Sequence, residues 1–97
     1  MSNTISLDDK AQIALDALRP SEQKKVESVI SQLHEFPGSL LAQVKKIKDL
    51  KDYFIIRIGY SYRLVFQYAN QEVKIIDIVN RERLDNLFSS VAKENRK

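Results

Sequence analysis

KKIKDLKDYFIIRIGYSYRLVFQYANQEVKIIDIVNRER, residues 45–83, decides the fold of this chain, because the hydrophobic period changes within it. From Tyr53 onward, apolar residues alternate or run continuously, which predicts strands over residues 53–58, 62–68 and 73–79. Gly59-Tyr60-Ser61 and Ala69-Asn70-Gln71-Glu72 supply the turns, and connections this short make an antiparallel meander. The same stretch holds nine Lys and Arg residues threaded among its apolar positions. Cations spaced in that way fall on a surface of the sheet rather than on a solvated tail.

Before this stretch the period is helical. Residues 3–7 alternate weakly, with Ile5 and Leu7 on one side and Thr4 and Ser6 on the other, as a short first strand would. Asp8 or Asp9 then caps a helix whose apolar positions are Leu7, Ala11, Ala14, Leu15 and Leu18. Pro20 disfavours helical backbone at Arg19, and Ser21 is placed to cap a second helix running to about Phe36. Its apolar face is Val26, Val29, Ile30, Leu33 and Phe36, and Pro37-Gly38 ends it. After the strands, Leu84, Leu87, Phe88 and Val91 have the spacing of a short terminal helix. The expected class is α+β: an N-terminal helical hairpin packed on a small antiparallel sheet of three to four strands, with a short C-terminal helix.

The 97 residues suit a single domain, residues 1–97, and 43% hydrophobic content supports a compact core. The absence of Cys rules out disulfides and thiolate chemistry and fits a reducing compartment. Asp8, Asp9 and Asp16 interrupt the first twenty residues, so no signal peptide or membrane span is expected and a cytoplasmic location is. Charge is unevenly divided. Residues 1–44 hold four Lys/Arg against six Asp/Glu, a net of −2, whereas residues 45–97 hold twelve against seven, a net of +5. A basic face on a sheet points to a polyanion, with nucleic acid the first candidate.

Few residues suggest other chemistry. His34 is the only histidine, lies beside the apolar face of the second helix, and reads as structural. No His/Asp/Glu cluster has metal-ligand spacing, and Asp49 and Asp52 lie among lysines as charge balance, so no metal and no cofactor is expected. No nucleophile turn or Gly-rich phosphate loop is present. The cations are different, because a tight turn at Gly59 would bring Arg57 and Arg63 together on one side of paired strands. Arg81 and Arg83 follow the third strand, and are expected near Lys46 and Lys48 where the first strand begins. Guanidinium groups stay charged and grip phosphate bidentately. The competing reading pairs these arginines with Asp77, Glu82 and Asp85 as surface ion pairs. Tyr53, Tyr60, Tyr62 and Tyr68 sit among the cations, where a ring can stack on a base or simply pack in a strand.

In the order of its elements and in the residues Phe54 to Gly59, Tyr62-Arg63-Leu64-Val65-Phe66 and Arg81-Glu82-Arg83, the chain resembles the RelE/ParE superfamily of bacterial type II toxins, and its RelE branch in particular. The resemblance spans nearly the whole chain. It implies a toxin, neutralised by a cognate antitoxin in a hetero-oligomer, that cleaves mRNA on the ribosome, or in the ParE-like alternative poisons DNA gyrase. A third possibility it leaves open is a weakly active protein that only binds antitoxin or RNA. Carried onto this sequence, it implies catalytic roles for Arg57, Arg63, Arg81 and Arg83, with Arg81 stabilising developing charge, and RNA contacts from Lys46, Lys48, Lys51, Tyr60 and Tyr62. The chain departs from the pattern at two points. Ile55 stands where the family has a strand lysine, and Leu87 and Phe88 stand where it has a tyrosine. Proton transfer would then fall to Tyr60, Tyr62, Lys48, Lys51 or Glu82.

Overall fold

In the computed structural model, which describes residues 2–82, strand β1 (Thr4–Leu7) leads into helices α1 (Asp9–Asp16) and α2 (Pro20–Leu33). A 3-10 segment (Gly38–Gln43) then precedes β2 (Val44–Lys46), β3 (Tyr53–Ile58), β4 (Tyr62–Ala69) and β5 (Glu72–Asn80). The strands form one five-stranded sheet in the order β1-β5-β4-β3-β2.

The β3-β4-β5 meander is the expected one, and the class is α+β. The sheet is larger and mixed, however, where the sequence predicts three to four antiparallel strands. β2 adds antiparallel to β3 through Val44↔Ile56, Lys45↔Ile55 and Lys46↔Phe54. It is three residues long and two are lysines, so it carries no readable period. β1 lies parallel to β5, from Thr4↔Glu72 to Leu7↔Ile75, a pairing across most of the chain that no local pattern encodes. The predicted helix over residues 84–91 lies outside the described residues.

Helix ends also shift by a few residues. α2 starts at Pro20 rather than behind Ser21, with Arg19 extended at its N-cap (ψ 153°). Proline suits that first helical position because the amide it lacks would have had no intrahelical partner. At the other end the helix closes at Leu33, short of Phe36, and continues as tighter turns through Glu35 N–H to Gln32 O (3.1 Å) and Phe36 N–H to Leu33 O (3.1 Å). Asp8 is the N-cap of α1, though its side chain makes no capping bond.

Both helices pack on one sheet face. The main core joins Ala11, Val26 and Leu33 of the helices to Ile56, Ile58, Leu64, Phe66, Val73, Ile75 and Ile78 of the strands. Phe36 closes one end of it, meeting Phe54, Phe66 and Tyr68 edge-on at centroid separations of 5.5, 5.3 and 5.0 Å. Buried Asn3 ties the N-terminal strand to that end. Its Nδ2 donates to Leu33 O and Phe36 O, both at 2.9 Å, and its backbone N–H donates to His34 O at 2.7 Å. One residue thereby donates to three carbonyls at and just beyond the end of α2, of which Leu33 O also accepts from the Phe36 N–H. His34, as expected, is structural in placement, with Nδ1 3.2 Å from Asn3 O.

The face away from the helices has a smaller apolar cluster of Ile47, Val65 and Val79, flanked by Leu50, Tyr53, Ile55 and Ile76. A register shift between Val65 and Phe66 produces it: Val65 pairs with Asp77 but Phe66 with Ile75, so Ile76 is an extra residue. The amide that the irregularity releases is satisfied locally, because buried Asp77 accepts the Ile78 N–H at 2.8 Å.

Candidate nucleic-acid interface

The site grows out of the three-residue turn between β3 and β4. Gly59 sits there at φ +58°, a left-handed conformation that costs other L-residues energy. The turn is tight enough to set Arg57 directly opposite Arg63, with Ile58 opposite Tyr62. Side chains so paired have Cβ atoms about 5 Å apart, and like charges there repel. Arg57 is exposed and makes no hydrogen bond or ion pair among the described residues. Arg63 is half-buried and braced by the turn it closes, with Nη1 donating to Tyr62 O at 2.9 Å and at the limit of reach, 3.5 Å, to Tyr60 O. Gln43, Lys45, Ile55, Arg57, Gly59 and Arg63 together line a basin of about 530 Å³. Two guanidinium groups and an ammonium converge on a concavity with no carboxylate in its lining among the described residues. Such a surface favours an anion, and the fork of each guanidinium fits phosphate oxygens.

The other predicted residues divide between this end of the sheet and the opposite one. Arg81 belongs here, because its backbone N–H donates to Ser61 O at 2.9 Å and so fixes the exit of β5 beside the turn. Glu82 follows it, exposed. Tyr60 stands on the turn itself, 86% exposed, with its ring open to a stacking base. Arg83 lies outside the described residues.

Lys46, Lys48 and Lys51 do not join them. The expected proximity of Lys46 and Lys48 to Arg81 is not found, because β3 and β5 run the same way and the exit of one lies by the exit of the other. Lys48 and Lys51 belong to the β2-β3 connection, where residues 46–51 surround a separate depression. That connection abuts Tyr53, five strand steps from Ile58, or about 17 Å at roughly 3.3 Å per residue. Lys46, opposite Phe54, is on the helix-facing side of the sheet by register. Tyr62 also faces that side and packs against the main core, as does Tyr68, while Tyr53 flanks the smaller cluster. Of the four tyrosines only Tyr60 is exposed. The ion-pair reading finds no support at Asp77, whose buried carboxylate serves the Ile78 amide; Asp85 lies outside the described residues.

One cation of this end carries no mark in the local sequence. Lys25 of α2 lies across the turn, with Nζ 3.2 Å and Cδ 3.4 Å from the point where a side chain on Gly59 would begin. Among the described residues no three His, Asp or Glu side chains converge as metal ligands, and no helix is long and apolar enough to cross a membrane.

No family model and no curated protein sequence matches this chain. Solved structures do. The isolated E. coli RelE toxin superposes with a TM-score of 0.72 over 96% of this chain and 98% of its own, at 20% identity. The RelB-RelE antitoxin-toxin complex of Methanococcus jannaschii gives 0.70 at 18% identity, covering 84% of this chain and 96% of that one. A RelBE toxin-antitoxin complex from Mycobacterium tuberculosis gives 0.67 at 25% identity, covering 84% and 100%. The chain therefore has a RelE-like fold, established by shape across almost the full length of those proteins.

Proposed function

We infer that this chain, as one toxin domain of 97 residues, is the toxic half of a type II toxin-antitoxin pair and acts in the cytoplasm as a ribosome-dependent mRNA endoribonuclease. The observation that carries this reading is the Arg57-Arg63 pair, facing one basin on a RelE-like sheet. An antitoxin partner is supported by the likeness to RelE proteins solved together with RelB. Ribosome and mRNA as partners rest on the basic face and on the family resemblance.

The chemistry is transfer of a phosphodiester to its own ribose. The 2′-oxygen bonds to phosphorus as the 5′-oxygen leaves, and a proton passes from the first oxygen to the second. Arg57, Arg63 and Arg81 stabilise the charge that builds on the phosphoryl oxygens. Guanidinium groups keep their protons, so they do not shuttle the proton. Of the five candidates for that task, Lys48 and Lys51 belong to the far end of the sheet and Tyr62 packs against the core. Tyr60 and Glu82 remain, and they suit complementary roles: a carboxylate accepts the 2′-proton and a phenol supplies one to the leaving oxygen. Lys46, Lys48 and Lys51 suit flanking RNA rather than the reacting phosphate.

Induced expression tests the reading. The chain should arrest protein synthesis and yield mRNA cut at codon-linked positions, and Arg81→Ala should relieve the arrest and remove the cuts. Cutting that survives Arg81→Ala excludes that arginine from the reaction. The departures at Ile55 and Leu87 favour a second reading, a ParE-like gyrase inhibitor. It predicts altered DNA supercoiling and a DNA-damage response with translation spared.

A further inference from the structure

The helix layer and the basin meet at one point, Gly59. Lys25 projects from α2 beside fully buried Val26, so its backbone is held in place by the core. Its side chain runs over the turn to bring the ammonium within 3.2 Å of the missing Cβ of Gly59, which itself lines the basin. No hydrogen bond or ion pair holds Lys25 there among the described residues. A lysine packed against backbone with no carboxylate to meet among the described residues is a charge available to a ligand. Gly59 also lines the basin that Arg57 and Arg63 border on the sheet face away from the helices, so Lys25 comes to its rim from the helix side. A cation at that rim adds to the positive potential that a polyanion would meet there.

We propose that Lys25 is a further phosphate-contacting residue of the nucleic-acid site, delivered from the helical layer to the rim of the Arg57-Arg63 basin through the space left by Gly59. The inference rests on the nucleic-acid reading given above and adds to it a contact from outside the basic stretch. It also gives Gly59 a second requirement beyond its φ of +58°, because any side chain there would meet the Lys25 side chain at 3.2–3.4 Å.

The test measures binding of a fluorescently labelled single-stranded RNA oligonucleotide to the full chain as a function of salt. Wild type is compared with Lys25→Gln, Lys25→Arg, Arg57→Ala and, as a control, Lys24→Gln, an exposed neighbour on the same helix. Each phosphate contact to a single strand contributes about 0.7 to the slope of log affinity against log salt. Lys25→Gln is expected to weaken binding several-fold at low salt and to lower the slope by about that increment. Lys25→Arg should keep the slope, and Lys24→Gln should leave it unchanged. An unchanged slope in Lys25→Gln beside a reduced one in Arg57→Ala overturns the proposal and leaves the basin intact as the binding site. If neither Lys25→Gln nor Arg57→Ala alters binding, the nucleic-acid reading itself fails, and this inference with it.

Discussion

The two ends of the β3-β4 ladder come from one alternating stretch of sequence, yet they treat their polar groups in opposite ways. At the Tyr53 end, Asn3 donates to three carbonyls at the finish of α2, and Phe36 locks Phe54, Phe66 and Tyr68 into a ring cluster. At the Gly59 end, Arg57 faces Arg63, Lys25 lies over the turn, and an 86% exposed tyrosine stands beside them. One end gathers aromatic rings and backbone acceptors around a buried amide, whereas the other gathers cations around a tight turn. Stability and the proposed binding are thus separated by the length of a six-residue strand, so a change at one end should leave the other property almost untouched.

Phe66→Ala gives the hardest test of that separation. Phe66 is fully buried and central to the ring cluster, and its truncation should cost about 3–5 kcal/mol by urea unfolding. A loss well below that range would mean the cluster is not what holds the Tyr53 end together. Asn3→Ala comes next. It removes the Nδ2 donor to the Phe36 carbonyl and one of two donors to the Leu33 carbonyl, with an expected cost of about 1–3 kcal/mol in the same measurement. Arg57→Ala should have the smallest effect on stability, within about 0.5 kcal/mol, because the side chain is exposed and lacks a partner among the described residues. The sign should favour the variant at low ionic strength, since a like-charge pair is removed, and the difference should shrink as salt screens it. A destabilisation as large as that of Asn3→Ala would show that the two ends are not separate.

The fold was legible where it is local. Alternation from Tyr53 and the turn residues at Gly59 and Asn70 give the meander, and with it the face shared by Arg57 and Arg63. Asn70 and Gln71 both take positive φ, 53° and 64°, as a two-residue hairpin requires. What was missed is non-local or short. β1 finds its partner near residue 72, and β2 has only three residues. Lys25 reaches Gly59 from a helix 34 positions earlier, and the only sequence trace was a glycine where a turn already justified one. The misplacement of Lys48 was avoidable. Two antiparallel steps restore the original direction, so β5 exits where β3 exits. Period two likewise places Tyr62 opposite in face to Arg63, and the structure has it so.

The parallel strand β1 has a further consequence, one of timing. Among the described residues it is an edge strand whose single neighbour is β5, so the earliest of the five strands in the sequence is held by the latest. Closing a contact of that separation is slow and depends on the intervening elements being in place. A growing chain that ends before residue 72 has its helical hairpin but lacks both the partner of β1 and the strand that carries Arg81 to Ser61. The fold, and the basic end that depends on it, therefore assemble only once β5 has been synthesised.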